Sequence, residues 1–182
     1  MADATRRAVL LGAGALAAGA AAAPPAAWDF TFTSIEDGTL PLAQFKGRVL
    51  LVTNTASFCG FTYQYKGLEA LHTEMQPKGL TVVGVPSQDF DQESDSNAKV
   101  KQFCEGIYGV QFPLAGLTHV KGPQAHPFYR WVKDTQDWEP AWNFNKVLIG
   151  RDGRIAGLFS SWSAPDGVKL RAAVAQALAA TA

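Results

Sequence analysis

The sequence predicts an α/β domain with a mixed central sheet and helices on both faces, and three observations predict it. Two apolar, β-rich runs, 48–53 and 80–85, flank a stretch whose apolar residues fall at helical spacing. That pattern makes a parallel strand pair joined by a right-handed crossover. Near the C-terminus, Arg151-Asp152-Gly153-Arg154 separates the apolar runs 146–150 and 155–159, which is the signature of an antiparallel hairpin with an Asp-Gly turn. A last helical stretch, 165–180, closes the chain with Val168, Leu170, Val174 and Leu178 apolar.

The elements follow in order. Trp28 to Thr33 alternates and reads as an edge strand, and Asp37-Gly38 marks the turn into its return at 38–41. The strand at 48–54 leads to a helix at about 62–76, where Leu68, Leu71 and Met75 share a face. Pro77-Lys78-Gly79 breaks that helix, and Pro86 ends the second strand. A polar loop, Asp89 to Asn97, opens a helix at about 97–107, and Ala125 to Lys133 forms another. The order β-α-β-α and then β-β-α is the thioredoxin-like arrangement.

Composition removes several classes of function. The chain has 182 residues, 47% of them hydrophobic, with a formal net charge of zero. No Lys/Arg run interleaves with aromatics, so nucleic-acid binding is unsupported. Two cysteines, Cys59 and Cys104, and three histidines form neither a disulfide framework nor a metal-ligand pattern. Residues 1–27 read as a leader: Arg6-Arg7 precedes an apolar, Gly/Ala-rich run and then Ala-rich and Pro24-Pro25 segments. Paired arginines there point to a twin-arginine export signal and a periplasmic location, with cleavage near Ala22. Residues 28–182 then form one domain. Away from the leader, no segment is apolar enough to cross a bilayer.

Cys59 stands where the first long strand gives way to a helix, in Asn54-Thr55-Ala56-Ser57-Phe58-Cys59-Gly60-Phe61-Thr62. A thiol at a helix start meets unpaired N–H groups and the positive end of the dipole. Both favour the thiolate, which is the nucleophile. Position alone leaves two readings open: a reactive sulfur, or a small buried hydrophobe.

Several ordered blocks add to this. The Cys59 block resembles the peroxidatic-cysteine signature of the glutathione peroxidase family, Asn-Val-Ala-Ser-x-Cys-Gly. Gly84-Val85-Pro86-Ser87-Gln88-Asp89-Phe90 resembles that family's Gly-Phe-Pro-Cys-Asn-Gln-Phe, and Trp142-Asn143-Phe144-Asn145-Lys146 its Trp-Asn-Phe-x-Lys. Phe103-Cys104 with Tyr108-Gly109-Val110-x-Phe112-Pro113, and Gly122-Pro123-x-Ala125-His126-Pro127, are similar to further family blocks. The resemblance spans about 28–180.

The resemblance implies a thioredoxin-like fold, a thiol peroxidase activity and a catalytic set of Cys, Gln, Trp and Asn. Cys59, Trp142 and Asn143 fill three places, and the glutamine place falls on Asp89, with Gln88 as the alternative. Cys59 would attack hydrogen peroxide or an organic hydroperoxide and become a sulfenic acid, with the indole N–H and the carboxamide as hydrogen-bond donors to the shifting charge. An ionised Asp89 beside the thiolate would oppose it. Cys104 is the expected resolving thiol, after local unwinding of its helix. Implied partners are a peroxide substrate and a thioredoxin-like protein or glutathione as reductant, with no cofactor and no metal. The short stretch between Lys133 and Trp142 implies a monomer. A peroxiredoxin is disfavoured because Val52 stands where its proline would be, and a Cys-x-x-Cys oxidoreductase because Thr62 stands at the second position. The competing reading from another class is a non-catalytic redox sensor that passes its disulfide to a client.

Overall fold

The computed structural model describes residues 25–180; most of the expected leader, including the cleavage point, lies outside them. Ala27, which the sequence places in that leader, is buried, and its N–H donates to the Gly153 carbonyl at 2.9 Å. Among the described residues, no helix is long and apolar enough to cross a membrane.

Four strands form the central sheet, in the order Leu80–Pro86 (β4), Val49–Thr55 (β3), Lys146–Ile149 (β5) and Ile155–Phe159 (β6). Strand β3 (Val49–Thr55) pairs in parallel with β4 (Leu80–Pro86) and antiparallel with β5 (Lys146–Ile149), which pairs antiparallel with β6 (Ile155–Phe159). Every residue of β3 and β4 is buried, as expected for strands covered on both faces. Helices α1 (Gln64–Met75), α2 (Asn97–Tyr108) and α4 (Val168–Ala179) pack on one face, against Val49, Leu51, Val82 and Leu148. Helix α3 (Pro127–Gln136) covers the other, against Leu50, Val52, Val83 and Val147. The alternation within β3 distributes its side chains between these two cores.

Two expectations are corrected. The N-terminal hairpin forms, with β1 (Thr31–Thr33) paired to β2 (Thr39–Pro41), but as its own two-stranded sheet. Residues 27–29 make a 3-10 turn instead of extending β1, because Asp29 Oδ2 accepts the Ala26 N–H at 2.9 Å. Helix α1 begins at Gln64, five residues after Cys59, and not at 62. The Thr62 hydroxyl is engaged in the preceding turn, where it accepts from Cys59 N at 3.0 Å and donates to the Ala56 carbonyl at 2.9 Å.

Candidate active site

Cys59 occupies the turn that leaves the carboxyl end of β3, the place where open α/β sheets build their sites. The sulfur is not in the first turn of a helix. It receives instead one backbone donor, the Phe61 N–H at 3.4 Å, while the Thr62 side chain closes the turn around it. The residue is 8% exposed.

Asn54, the one amide side chain in β3, organises the next element. Its Nδ2 donates to the Trp142 carbonyl at 3.1 Å, its Oδ1 accepts from Asn145 N at 3.0 Å, and its own carbonyl accepts from Phe144 N at 2.6 Å. These bonds tie residues 142–145 to the strand that carries Cys59. Phe144 adopts a left-handed conformation, φ +60°, which is costly for a bulky residue. Its buried ring meets Tyr65 edge-on at 5.4 Å. Ser161 Oγ donates to the Asn143 carbonyl at 2.6 Å and accepts from Asn145 Nδ2 at 2.8 Å. Lys146 Nζ, fully buried, donates to Phe144 O at 2.7 Å and to Gln64 Oε1 at 2.8 Å. Burial pushes its pKa down to about 7.

The loop after β4 supplies the third wall, and in it Gln92, rather than the expected Asp89 or Gln88, touches Asn143. Gln92, which the sequence reading passed over, accepts the Asn143 Nδ2 bond on its Oε1 at 3.0 Å, and its backbone carbonyl accepts from Phe58 N at 2.9 Å. One residue thus joins the Cys59 turn to Asn143. Asp89 is engaged elsewhere. Its Oδ1 lies 2.6 Å from His119 Nδ1, and its Oδ2 accepts from Val120 N at 2.6 Å and Lys121 N at 3.1 Å. Burial opposes its charge, but these hydrogen bonds outweigh it and hold the carboxyl below its ordinary range. Gln88 is exposed and donates to the Ser94 carbonyl at 3.1 Å. Trp142 is 41% exposed, with its ring 5.4 Å from Phe90 in the same loop.

Cys104 is fully buried in α2, in the same core cluster as Cys59, and both cysteines are free. Burial pushes the Cys104 thiol up to about 12; a contact from Tyr65 opposes this, and the charges of Glu93 and Glu105 add to the rise. The Cys104 carbonyl accepts from Val110 N at 3.2 Å at the C-terminal end of α2, where Gly109 turns left-handed. The chain neighbours of the two cysteines, Phe58 and Phe103, lie 6.3 Å apart ring to ring. Exposed aromatics flank the Cys59 turn: Phe58, Tyr63 and Trp162, the last edge-on to Phe61 at 5.0 Å. Among the described residues, no cluster of His, Cys, Asp and Glu has the makings of a metal site.

A thioredoxin-like fold with one sulfur at the strand end, and no Cys-x-x-Cys, defines a class of thiol-based redox proteins. The glutathione peroxidase family model matches residues 27–133, and the chain belongs to the glutathione peroxidase family. It is 37% identical over 150 residues to the hydroperoxy fatty acid reductase gpx1 of Synechocystis, covering 76% of this chain and 89% of that one. It is 40% identical to the glutathione peroxidase-like peroxiredoxin gpx1 of Schizosaccharomyces pombe, covering 72% and 87%. The crystal structure of Trgpx in apo form superposes with a TM-score of 0.70 at 33% identity, over 87% of this chain and 99% of that one. A putative DsbE from Chlorobium tepidum, at 18% identity and TM-score 0.61, shares the fold over 85% and 94%. The chain is therefore a thiol peroxidase, an oxidoreductase that reduces hydroperoxides at the expense of a thiol-type reductant.

Proposed function

We propose that Cys59 is the peroxidatic residue, that Trp142, Asn143 and Gln92 assist it, and that Cys104 resolves the product. The Cys59 thiolate attacks one peroxide oxygen, the O–O bond breaks, and the second oxygen leaves as water or an alcohol. The indole N–H and the carboxamides are donors without a titratable proton, so they stabilise the charge that moves from sulfur to oxygen. The Gln92 bridge carries this reading, because it ties the Cys59 turn to Asn143. Neither Asp89 nor Gln88 makes that bridge.

Cys104 then attacks the Cys59 sulfenic acid and forms an intramolecular disulfide, which a thioredoxin-like protein reduces. Cys104 lies in the last half of α2, which ends at the left-handed Gly109, so local unwinding from that end would bring its buried sulfur out of the core. The exposed aromatics beside Cys59 favour an apolar organic hydroperoxide over a small polar one. The Arg6-Arg7 leader supports export to the periplasm, and the short 133–142 connection supports a monomer.

Mass spectrometry after one equivalent of peroxide tests the cycle. The wild type is expected to lose two hydrogens as a Cys59–Cys104 disulfide, Cys104→Ser to stop at sulfenic acid, and Cys59→Ser to consume no peroxide. Peroxide consumption by Cys59→Ser would overturn the reading. Cell fractionation of the wild type and of Arg6→Lys/Arg7→Lys tests export, and light scattering tests the monomer.

A further inference from the structure

Lys146 carries a buried amine that the peroxide chemistry itself does not use. It opens β5 in the middle of the central sheet, opposite Thr53 of β3 on one side and Phe159 of β6 on the other, and its side chain is fully buried. Two acceptors from different elements meet at its Nζ. One is the Phe144 carbonyl at 2.7 Å; the other is Oε1 of Gln64, the first residue of α1, at 2.8 Å. Gln64 is buried too, and its Nε2 donates to the Ser161 carbonyl at 2.6 Å. The Gln64 backbone N–H donates to the Phe61 carbonyl at 2.9 Å, and the Phe61 N–H is the donor to the Cys59 sulfur at 3.4 Å. On the other side, Phe144 follows Asn143, whose carbonyl accepts from Ser161 Oγ at 2.6 Å.

We propose that Lys146 is a positioning residue for peroxide reduction: bonded at once to Gln64 and to Phe144, it locks the turn that carries Cys59 to the segment that carries Trp142 and Asn143. This rests on Cys59 being the reacting sulfur and on Trp142 and Asn143 assisting it. Lys146 touches no reacting atom and acts through Phe144.

The chemistry of the amine fits this task. Burying it is costly, and an unbranched apolar chain such as methionine would fill the space without that cost. What methionine lacks is a donor that serves two acceptors. The Phe144 bend needs one. Its left-handed backbone, φ +60°, is costly for a bulky residue, and a buried carbonyl without a partner adds to that cost. Asn54 holds the bend from β3 through the Phe144 N–H, and Lys146 ties its carbonyl to α1. The amine, the Gln64 carboxamide and the Ser161 hydroxyl all have partners, and a buried network satisfied in this way rigidifies its surroundings. Burial brings the Lys146 pKa down to about 7. The neutral amine keeps the two N–H groups these bonds require, so the lock does not depend on charge.

Stopped-flow oxidation of Cys59 by one equivalent of cumene hydroperoxide, read beside its alkylation by iodoacetamide, tests the role. Lys146→Met is expected to slow oxidation by about 10- to 100-fold and to leave the pH midpoint of alkylation unchanged. In a Trp142→Phe/Asn143→Ala background the same substitution is expected to change oxidation by less than about 3-fold, because the groups it positions are already gone. A wild-type oxidation rate in Lys146→Met overturns the proposal. So does a loss in that background as large as in the wild type, which marks a general structural role. A shifted alkylation midpoint overturns it as well, because it marks a direct effect of charge on the sulfur. Should Lys146→Met fail to fold, Gln64→Leu removes the α1 half of the lock and carries the same expectations and the same refutations. If Trp142→Phe/Asn143→Ala oxidises as fast as wild type, the assisting role of Trp142 and Asn143 falls and this proposal with it. A slowed background beside an unaffected Lys146→Met overturns Lys146 alone.

Discussion

The Asn143 carboxamide donates to Gln92 Oε1 at 3.0 Å, across 51 residues of sequence. This bond places the side chain after Trp142 against the loop that receives the Phe58 N–H. Positioning of this kind contributes to rate only if donors stay aimed at the reacting oxygen.

Gln92→Ala is expected to slow peroxide oxidation of Cys59 by about 10- to 100-fold, below the largest effects of losing a direct oxyanion donor. Asp89→Asn is expected to change that rate by less than about 2-fold. Stopped-flow oxidation with one equivalent of hydroperoxide checks both. Equal effects of the two substitutions would return Asp89 to the site.

Asp89 belongs to stability instead. Its carboxyl sits lower in the folded chain than in the unfolded one, so it stabilises the fold above the ordinary Asp range. That stabilisation is lost as pH falls through the folded value. Asp89→Asn is expected to cost about 1–3 kcal/mol near neutrality and to flatten the stability loss below about pH 4. Urea unfolding at a series of pH values measures it.

Lys146 works in the opposite direction. Unfolded, it holds its proton to about 10.5; folded, burial brings that to about 7. Below pH 7 the fold carries the full cost of a buried ammonium. Between these values the unfolded chain binds more protons, so stability rises with pH. The stability of the wild type relative to Lys146→Met is expected to rise by about 2–3 kcal/mol between pH 7 and 9. A pH-independent difference would mean that Lys146 does not titrate in that window.

Gly106 lies inside α2, two residues past Cys104, and a Cβ there would touch nothing within 4 Å. Glycine weakens a helix by about 0.5–1 kcal/mol relative to alanine. Gly106→Ala is therefore expected to stabilise α2 and to slow disulfide formation by about 2- to 5-fold, with the first oxidation unchanged. An accelerated disulfide would argue against unwinding of this turn.

The central sheet was legible because its strands are apolar runs bounded by Pro and Gly, and the 146–159 hairpin because of Asp152-Gly153. Cys59, Trp142 and Asn143 stood out as blocks. Gln92 did not, because the loop after Phe90 is irregular and sequence register cannot say which polar residue turns inward. Asn54 does carry a signal in the sequence: an amide in a buried apolar strand needs partners. The helix start at Gln64 instead of Thr62 depended on a side-chain hydroxyl finding a better use.

The left-handed bend at Phe144 ties reactivity to the molecule's interior. Holding a phenylalanine there costs about 1–3 kcal/mol, which only a firmly gripped ring can offset. A void opened under that ring, at Tyr65 for instance, would let the bend unwind and release Trp142 and Asn143 from the strand that carries Cys59. Turnover would then fall although every reacting group remained present, and natural variation deep in this core is visible to selection for catalysis.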